Sequence, residues 1–193
     1  MPRQIDRSKV VVFFGLTGSG KSYLGKRWAA ERGYPYFNSD QVRKELAGVA
    51  PESRHHVPFN EGLYSPDMTR QTYDEMALRA LAALRDNKAG VVLDGSYGAE
   101  KQRLQVVDAL SSRGAIFFVH CHCQESVARA RFQLRAADSG AVSDGRWEIY
   151  VGQKKSFEMP KQLKGASLLD LDTDDSIAAL ITRVDNFIES TYT

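Results

Sequence analysis

Residues 9–22 read KVVVFFGLTGSGKS, and this stretch decides the fold. Its first half is a continuous run of β-branched and aromatic residues, which is typical of a strand buried on both faces of a parallel sheet. Its second half, residues 15–22, has the spacing G-x-x-x-x-G-K-S. A helical pattern follows from Lys21 to about Arg32 and ends before Gly33. A buried strand, a glycine-rich turn and a helix in succession predict an α/β fold with a phosphate-binding loop.

The glycine-rich turn carries the first predicted chemistry. Glycines let backbone N–H groups surround phosphate oxygens, and the start of the following helix adds favourable partial charge. We expect Lys21 to reach the β- and γ-phosphates of a nucleotide and to be catalytic, and Ser22 to supply an oxygen to magnesium. The predicted nucleotide-binding residues of this loop are Gly15, Thr17, Gly18, Ser19, Gly20, Lys21 and Ser22.

Strand and helix patterns alternate along the rest of the chain, which predicts a parallel sheet covered by helices on both faces. Further strands are predicted at 36–40, 91–93, 115–119 and 168–171. Further helices are predicted at 41–46, 66–84, 99–112, 124–136, about 146–158 and 175–190. Ser65 and Pro66 have the residue types of an N-cap and a first helical position. Without a repeat or an interdomain linker, we expect residues 1–193 to form one domain.

The amino-acid composition limits which binding partners and which cellular compartment we expect. The chain has 193 residues, 42% of them hydrophobic and 26% charged, with a formal net charge of +2. This composition predicts a globular domain, and the net charge is too small to attract duplex DNA or anionic membranes by itself. The longest apolar run, 10–16, is too short to span a bilayer. Cys121 and Cys123 are poorly spaced for a disulfide, so we expect a reducing compartment and a cytoplasmic protein. We also expect no membrane partner and no obligate protein partner.

Asp94 follows a predicted strand in the segment VVLDG. The carboxyl end of a parallel strand faces the ligand crevice, where a carboxylate can hold magnesium directly or through water. The alternative is a turn aspartate before Gly95. We therefore predict that Ser22 and Asp94 form the metal site.

Asp40 and Arg43 are candidates for binding the phosphoryl acceptor. They are three residues apart at the start of a predicted helix, so they share one helix face. An acceptor hydroxyl needs a carboxylate that takes its proton, and a guanidinium can bind an anionic or polar acceptor. The alternative is an aspartate that caps the helix beside an exposed arginine.

Three arginines lie on one predicted helix, at positions 129, 131 and 135. Arg131 and Arg135 are four residues apart and precede the Gly-, Ser- and Asp-rich stretch 136–145. We expect these two to be catalytic by neutralising charge on the transferred phosphoryl group beneath a mobile lid, about 129–146. A solvated basic helix face is the alternative.

Guanine specificity normally requires an N-K-x-D element. The only Asn-Lys pair, Asn87-Lys88, is followed by Ala89-Gly90, so that element is missing. The leading hypothesis is transfer of a γ-phosphoryl group from ATP to a hydroxyl of a small metabolite or a nucleic-acid end. The alternative is a nucleotide-binding regulatory or interaction module with weak ATPase activity.

The sequence resembles small bacterial P-loop kinase-like domains, also called AAA-family ATPases or predicted kinases, over roughly residues 9–175. It shares with them, in this order, the segments GLTGSGKS, NSDQVRKELAG, LYSPDMTRQTYDEM, VVLDGS, ARFQLRAAD and FEMP…LDLDTDD. These domains are similar to polynucleotide 5′-hydroxyl kinases, zeta-toxin kinases and gluconate kinases.

The resemblance implies a nucleoside-kinase-like three-layer fold with five parallel strands and a short helical lid, ATP as donor and Mg²⁺ as cofactor. It implies that Asp40 is the general base and that Arg43 binds an acceptor phosphate. It also implies that Arg131 and Arg135 are lid arginines, and that Asp172 and Thr173 lie where adenine often rests. The sequence departs from the family at Tyr23, where threonine is commoner.

The run His120-Cys121-His122-Cys123 contains four residues of metal-binding type. Alternate side chains of a strand point to opposite faces, so only two of the four can converge, whereas a closed zinc site needs four ligands. We therefore do not assign a zinc site here. We also expect His55 and His56 to belong to an exposed polar loop.

Overall fold

The strand predicted from the apolar run lies at the centre of the sheet. A computed structural model describes residues 8–50, 62–86, 89–137 and 147–191, with side chains of the fifth helix described up to residue 134. Its five strands are parallel and follow the spatial order β2-β3-β1-β4-β5. The strands are β1 Ser8–Phe14, β2 Tyr36–Asn38, β3 Gly90–Gly95, β4 Gly114–His122 and β5 Ala166–Asp172. The predicted fold class and the five-stranded parallel sheet are confirmed.

Helices connect successive strands and cover both faces of the sheet. Within the described ranges they are α1 Lys21–Arg32, α2 Ser39–Leu46, α3 Pro66–Arg85, α4 Glu100–Leu110, α5 Glu125–Ala137, α6 Trp147–Ser156 and α7 Ile177–Ser190. A short 3₁₀ turn, Gly62–Tyr64, precedes α3. None of these helices has both the length and the apolar character needed to cross a membrane.

Two apolar cores sandwich β1, whose residues 10–14 are fully buried. On one face the alternate side chains Val10, Val12 and Phe14 pack with α3 and α4. On the other face Val11 and Phe13 pack with α1 and α7. The continuous apolar run in the sequence therefore reflects burial of both strand faces, and the helix–sheet–helix layers follow from it.

The boundary between β2 and α2 differs from the prediction. The strand was expected to reach Asp40, but it ends at Asn38, and Asp40 is already the second residue of α2. The cause is a side-chain cap: Asn38 Oδ1 accepts hydrogen bonds from the backbone N–H groups of Asp40 (3.0 Å) and Gln41 (3.1 Å). Asparagine is among the best N-cap residues, so the chain turns into a helix at once.

Other predicted boundaries hold to within a few residues. Ser65 caps α3 with its side chain and Pro66 occupies the first turn, as the sequence indicates. β4 extends to His122 and includes most of the His-Cys run. There His120 packs on the ring of Phe14, with centroids 5.1 Å apart, whereas Cys121 lies in the opposite core. Residues 55, 56, 87 and 88 lie outside the described residues.

Candidate active site

The glycine-rich loop connects the carboxyl end of β1 to the start of α1. Gly15 has φ 140°, and a Cβ atom there would lie 2.1 Å from the carbonyl oxygen of Cys121, so only glycine fits. Gly20, at φ 85°, is the N-cap of α1 and, as a glycine, has no side chain to cap the helix. The cap residue therefore contributes no side-chain acceptor to the first turn of α1. This is the arrangement of an anion site at a helix start.

Lys21 is the first residue of α1 and folds back over the loop. Its Nζ donates to the carbonyl oxygen of Leu16 at 3.3 Å. The ammonium group thus lies beside the backbone that a phosphate would contact. The loop is braced from outside, because the N–H of Thr17 donates to Oε1 of Gln153 on α6 at 2.9 Å.

Asp94 lies on β3, in parallel register with Phe13 of β1 on one side and Asn38 of β2 on the other. It is fully buried. Its Oδ2 accepts hydrogen bonds from the hydroxyl of Tyr36 (2.5 Å) and from Nδ2 of Asn38 (2.6 Å). Its Oδ1 has no hydrogen-bond partner within the described part of the chain.

The donor set around Asp94 fits a magnesium ion. Mg²⁺ is bound in proteins through one or two oxygen side chains, with waters and phosphates completing its coordination. A buried carboxylate with one unused oxygen needs a cationic partner, since burial of an isolated charge is expensive. Ser22 is the second residue of α1, which follows the carboxyl end of β1, and Asp94 lies near the carboxyl end of the neighbouring strand β3. The fold therefore places the two predicted metal ligands, Ser22 and Asp94, at the same edge of the sheet.

Asp40 is the centre of the second group of polar residues. The hydroxyl of Tyr64 donates to its Oδ1 at 2.9 Å. Two cations of α2 flank it: Nη1 of Arg43 lies 3.9 Å from Oδ1, and Nζ of Lys44 lies 3.7 Å from Oδ2. The Asp40 side chain keeps 23% of its surface exposed, whereas Arg43 and Lys44 keep 8% and 1%. The carboxylate is thus the accessible member of the group.

The Arg43 side chain is more buried than we expect for a residue whose only role is to bind a substrate. Its guanidinium lies over the ring of Tyr64, with Cζ 4.9 Å from the ring centroid. The sequence places Asp40 and Arg43 on one helix face, and the structure shows them as neighbours. Arg43 therefore also supports the residues around the carboxylate.

Arg131 joins the glycine-rich loop to the end of β5. Its Nη1 donates to the carbonyl of Gly18 (3.3 Å) and to Oγ1 of Thr173 (3.0 Å), and its Nη2 donates to the carbonyl of Thr173 (2.8 Å). Oγ1 of Thr173 in turn donates to the carbonyl of Ser19 at 2.6 Å. Asp172 is exposed, and its Oδ1 accepts from the N–H of Asp174. The Arg135 side chain lies outside the described part of the chain.

Sequence reasoning missed several residues of this site. Tyr36, Lys44 and Tyr64 each contact a predicted functional carboxylate, and Gln153 contacts the loop. Only Lys44 had a usable signal, because it lies four residues after Asp40, the spacing at which helical side chains meet. The tyrosines are brought in by the sheet and by the turn before α3.

Comparison with known proteins places this geometry in a family. The family model described as an AAA domain matches residues 10–160. No curated protein sequence matches the chain.

Three solved structures are similar over nearly their whole length. A sugar kinase from Janibacter sp. HTCC2649 has a TM-score of 0.67 at 18% identity, with 95% of each chain covered. A gluconokinase from Sinorhizobium meliloti 1021 has a TM-score of 0.63 at 19% identity, covering 98% of this chain and 95% of that one. The Mycobacterium tuberculosis APS kinase CysC, in complex with AMPPNP and APS, has a TM-score of 0.62 at 22% identity, covering 95% and 98%.

At these identities the likeness establishes the fold, which is that of small P-loop kinases. The family match adds the sequence evidence, because it spans the glycine-rich loop, Asp40, Asp94 and Arg131. The chain therefore belongs to the AAA-domain family of P-loop proteins.

Proposed function

We propose that the protein is an ATP-dependent phosphotransferase that moves the γ-phosphoryl group of ATP to a hydroxyl of a small metabolite or of a nucleic-acid end. One observation carries this proposal. Asn38 donates to Asp94 with its amide nitrogen and caps α2 with its amide oxygen, so one side chain joins the metal-type carboxylate to the helix that carries Asp40. A phosphate site and a candidate base thus belong to one connected group.

On the donor side, the backbone of residues 15–22 binds the phosphates and Lys21 neutralises their charge. Ser22 and Asp94 hold Mg²⁺, which supplies charge stabilisation on the transferred phosphoryl group when it is bound. Asp172 and Thr173 border the adenine. We propose that residues 1–193 act as one domain with a lid at about 129–146, working in the cytoplasm.

On the acceptor side, Asp40 orients the hydroxyl and takes its proton. The acceptor oxygen forms a bond to the γ-phosphorus while the bond between that phosphorus and the β–γ bridging oxygen breaks, and ADP leaves. Tyr64 directs the Asp40 carboxylate through a 2.9 Å hydrogen bond. Arg43 helps to bind the acceptor, and Arg131 and Arg135 stabilise charge on the phosphoryl group in flight.

The test is ADP production from Mg·ATP with and without a panel of hydroxyl acceptors: hexoses, sugar acids, nucleosides, and oligonucleotides with a free 5′-hydroxyl. We expect one acceptor class to raise the rate of ADP formation well above the rate in buffer alone. A matched set of acceptors with that hydroxyl replaced by hydrogen should give the buffer rate.

A nucleotide-binding regulatory module is the second candidate. Arg131 favours it, because each of its described hydrogen bonds goes to the protein's own loop or to Thr173. Such a contact can report nucleotide occupancy to the end of β5. ADP formation that no acceptor stimulates, with tight ATP binding, would support this candidate over the phosphotransferase.

A further inference from the structure

The two oxygens of the Asp94 carboxylate differ in their hydrogen bonds. Both of its hydrogen bonds, from Tyr36 and Asn38, fall on Oδ2. Oδ1 is buried and has no hydrogen-bond partner among the described residues. Two neutral donors on one oxygen fix the orientation of the carboxylate without neutralising its charge.

Tyr36 is one of the two donors that hold Asp94. Tyr36 and Asn38 lie on β2, and both reach Asp94 from that neighbouring strand. The phenol gives its single hydrogen to Oδ2 of Asp94, and Asn38 gives an amide hydrogen to the same oxygen.

We propose that Tyr36, together with Asn38, is a positioning residue for magnesium: the two side chains hold Asp94 in the orientation that leaves Oδ1 for the ion. This inference rests on the proposed function, which makes Ser22 and Asp94 the metal ligands. Tyr36 occupies Oδ2 of Asp94, so Oδ1 is the oxygen left for the metal or a metal-bound water. Residues that orient a ligand typically matter for metal affinity about 10–100-fold.

A purely structural role for Tyr36 makes a different prediction. If the phenol only satisfies a buried carboxylate, its loss lowers the stability of the fold and leaves the magnesium requirement unchanged. If it positions the ligands, its loss raises the magnesium concentration needed, and nucleotide binding without metal is unaffected. The measurement must therefore separate magnesium dependence from stability.

The experiment measures binding of a fluorescent ADP analogue over a series of free Mg²⁺ concentrations and, separately, in EDTA. We compare the wild type, Tyr36→Phe and Tyr34→Phe. Tyr34 is the matched control: it lies two residues earlier and packs with its ring against Gly90 and Trp28, contacts that phenylalanine retains. For Tyr36→Phe we expect the half-saturating Mg²⁺ concentration to rise about 10–100-fold. Its affinity in EDTA and the whole Tyr34→Phe profile should match the wild type.

Asn38→Ser provides a second variant in case Tyr36→Phe folds poorly, which loss of binding in EDTA would reveal. Serine keeps an N-cap oxygen for α2 and removes the amide donor to Asp94. We expect its half-saturating Mg²⁺ concentration to rise as well. The inference is overturned if folded Tyr36→Phe, or Asn38→Ser in its place, needs the same Mg²⁺ as Tyr34→Phe. A wild type whose nucleotide binding ignores Mg²⁺ altogether would instead overturn the metal site of the proposed function.

Discussion

The two halves of the site are built from different materials. The part that we propose as the donor half consists of backbone groups of residues 15–22, one lysine and one buried carboxylate, all at the carboxyl ends of the central strands. The part that we propose as the acceptor half consists of side chains from α2 and from the turn before α3, which surround the partly exposed Asp40 carboxylate.

This difference separates what the two halves can recognise. Backbone N–H groups at a helix start can bind any phosphate, so under the proposed function the donor half serves a common co-substrate. Side chains on a helix can change without changing the sheet, so the acceptor half can select a substrate. If this division is correct, variants of the donor half should impair every reaction of the protein. Variants of the acceptor half should affect transfer and spare nucleotide binding.

The largest effect is expected at Lys21. Lys21→Ala removes the positive charge beside the phosphates, and we expect kcat/KM for ATP to fall about 10³-fold. The measurement is ADP formation at varied ATP, with circular dichroism to confirm the fold. Lys26→Ala is the control, because Lys26 is exposed later on the same helix. Normal turnover by folded Lys21→Ala would show that the loop is not the donor site.

Asp40→Asn should show the next largest effect. The amide keeps the shape of the carboxylate and cannot take the acceptor proton, so we expect kcat for transfer to fall about 10²-fold. ATP affinity, measured by calorimetry, should not change, since Asp40 lies in the acceptor half. Glu45→Gln removes a neighbouring carboxylate of α2 that pairs with Arg79, and it should retain wild-type transfer.

Arg131→Ala should lower kcat about tenfold, since it removes one donor near the phosphoryl group. Arg129→Ala is the control on the same helix, because the Arg129 guanidinium lies over Trp147, 3.9 Å from its ring centroid. Equal rates for the two variants would return Arg131 to a structural role that ties Gly18 to Thr173.

Arg43→Ala should act on the acceptor KM, with a smaller change in kcat. We expect the KM for the acceptor to rise roughly 5–10-fold, because the variant loses a contact that is already made in the ground state. The ratio should shrink for acceptors without a phosphate if Arg43 binds one. If Arg43→Ala raised the KM for ATP by the same factor, the proposed separation between a donor half and an acceptor half would be contradicted.

The smallest effect concerns stability and lies outside both halves. Burial lowers the pKa of His120 at the end of β4, and this outweighs the opposing effect of Asp170, while His122 and Arg103 lower it further. The unfolded chain therefore binds a proton near its ordinary pKa of about 6.5, and the folded chain does so only at lower pH. This contribution to stability is complete above pH 6.5 and is lost as the pH falls below it.

Chemical denaturation at a series of pH values checks this contribution. The slope due to His120 is at most about 1.4 kcal/mol per pH unit. His120→Gln should flatten the dependence between pH 6.5 and 5, and an unchanged slope would assign it to other groups. Phosphoryl transfer by the variants of both halves is therefore compared at pH 7.5, which lies above the range in which His120 makes stability depend on pH.

The residues that we propose for the donor half could be selected from the sequence because each carries a local signal. The loop, Lys21 and Ser22 form one motif, and Asp94 is marked by its place after a strand. The fold could be predicted from the same segment, because a continuous apolar run such as Val10–Phe14 is typical of a strand that is buried on both faces of a parallel sheet. Even so, the β2 boundary was wrong, because the N-cap role of Asn38 outweighed the strand pattern before it.

The supporting residues could not be predicted, because their partners are far away in sequence. Tyr36 and Asp94 are 58 residues apart, and Tyr64 and Asp40 are 24 apart. Only the pairing of β2 with β3 and the packing of the turn before α3 bring them together. A tyrosine in a short strand looks the same in sequence whether it faces solvent or a buried carboxylate.

The most direct test of the central claim follows the γ-phosphate itself. ATP carrying a labelled γ-phosphate is incubated with the protein and the acceptor class that stimulates ADP formation, and the label is divided between phosphorylated acceptor and inorganic phosphate. We expect most of the label to reach the acceptor in the wild type, and we expect Asp40→Asn to lower this transfer sharply while ATP binding persists. Label found only in inorganic phosphate, whatever the acceptor, with Asp40→Asn equal to the wild type, would contradict the claim.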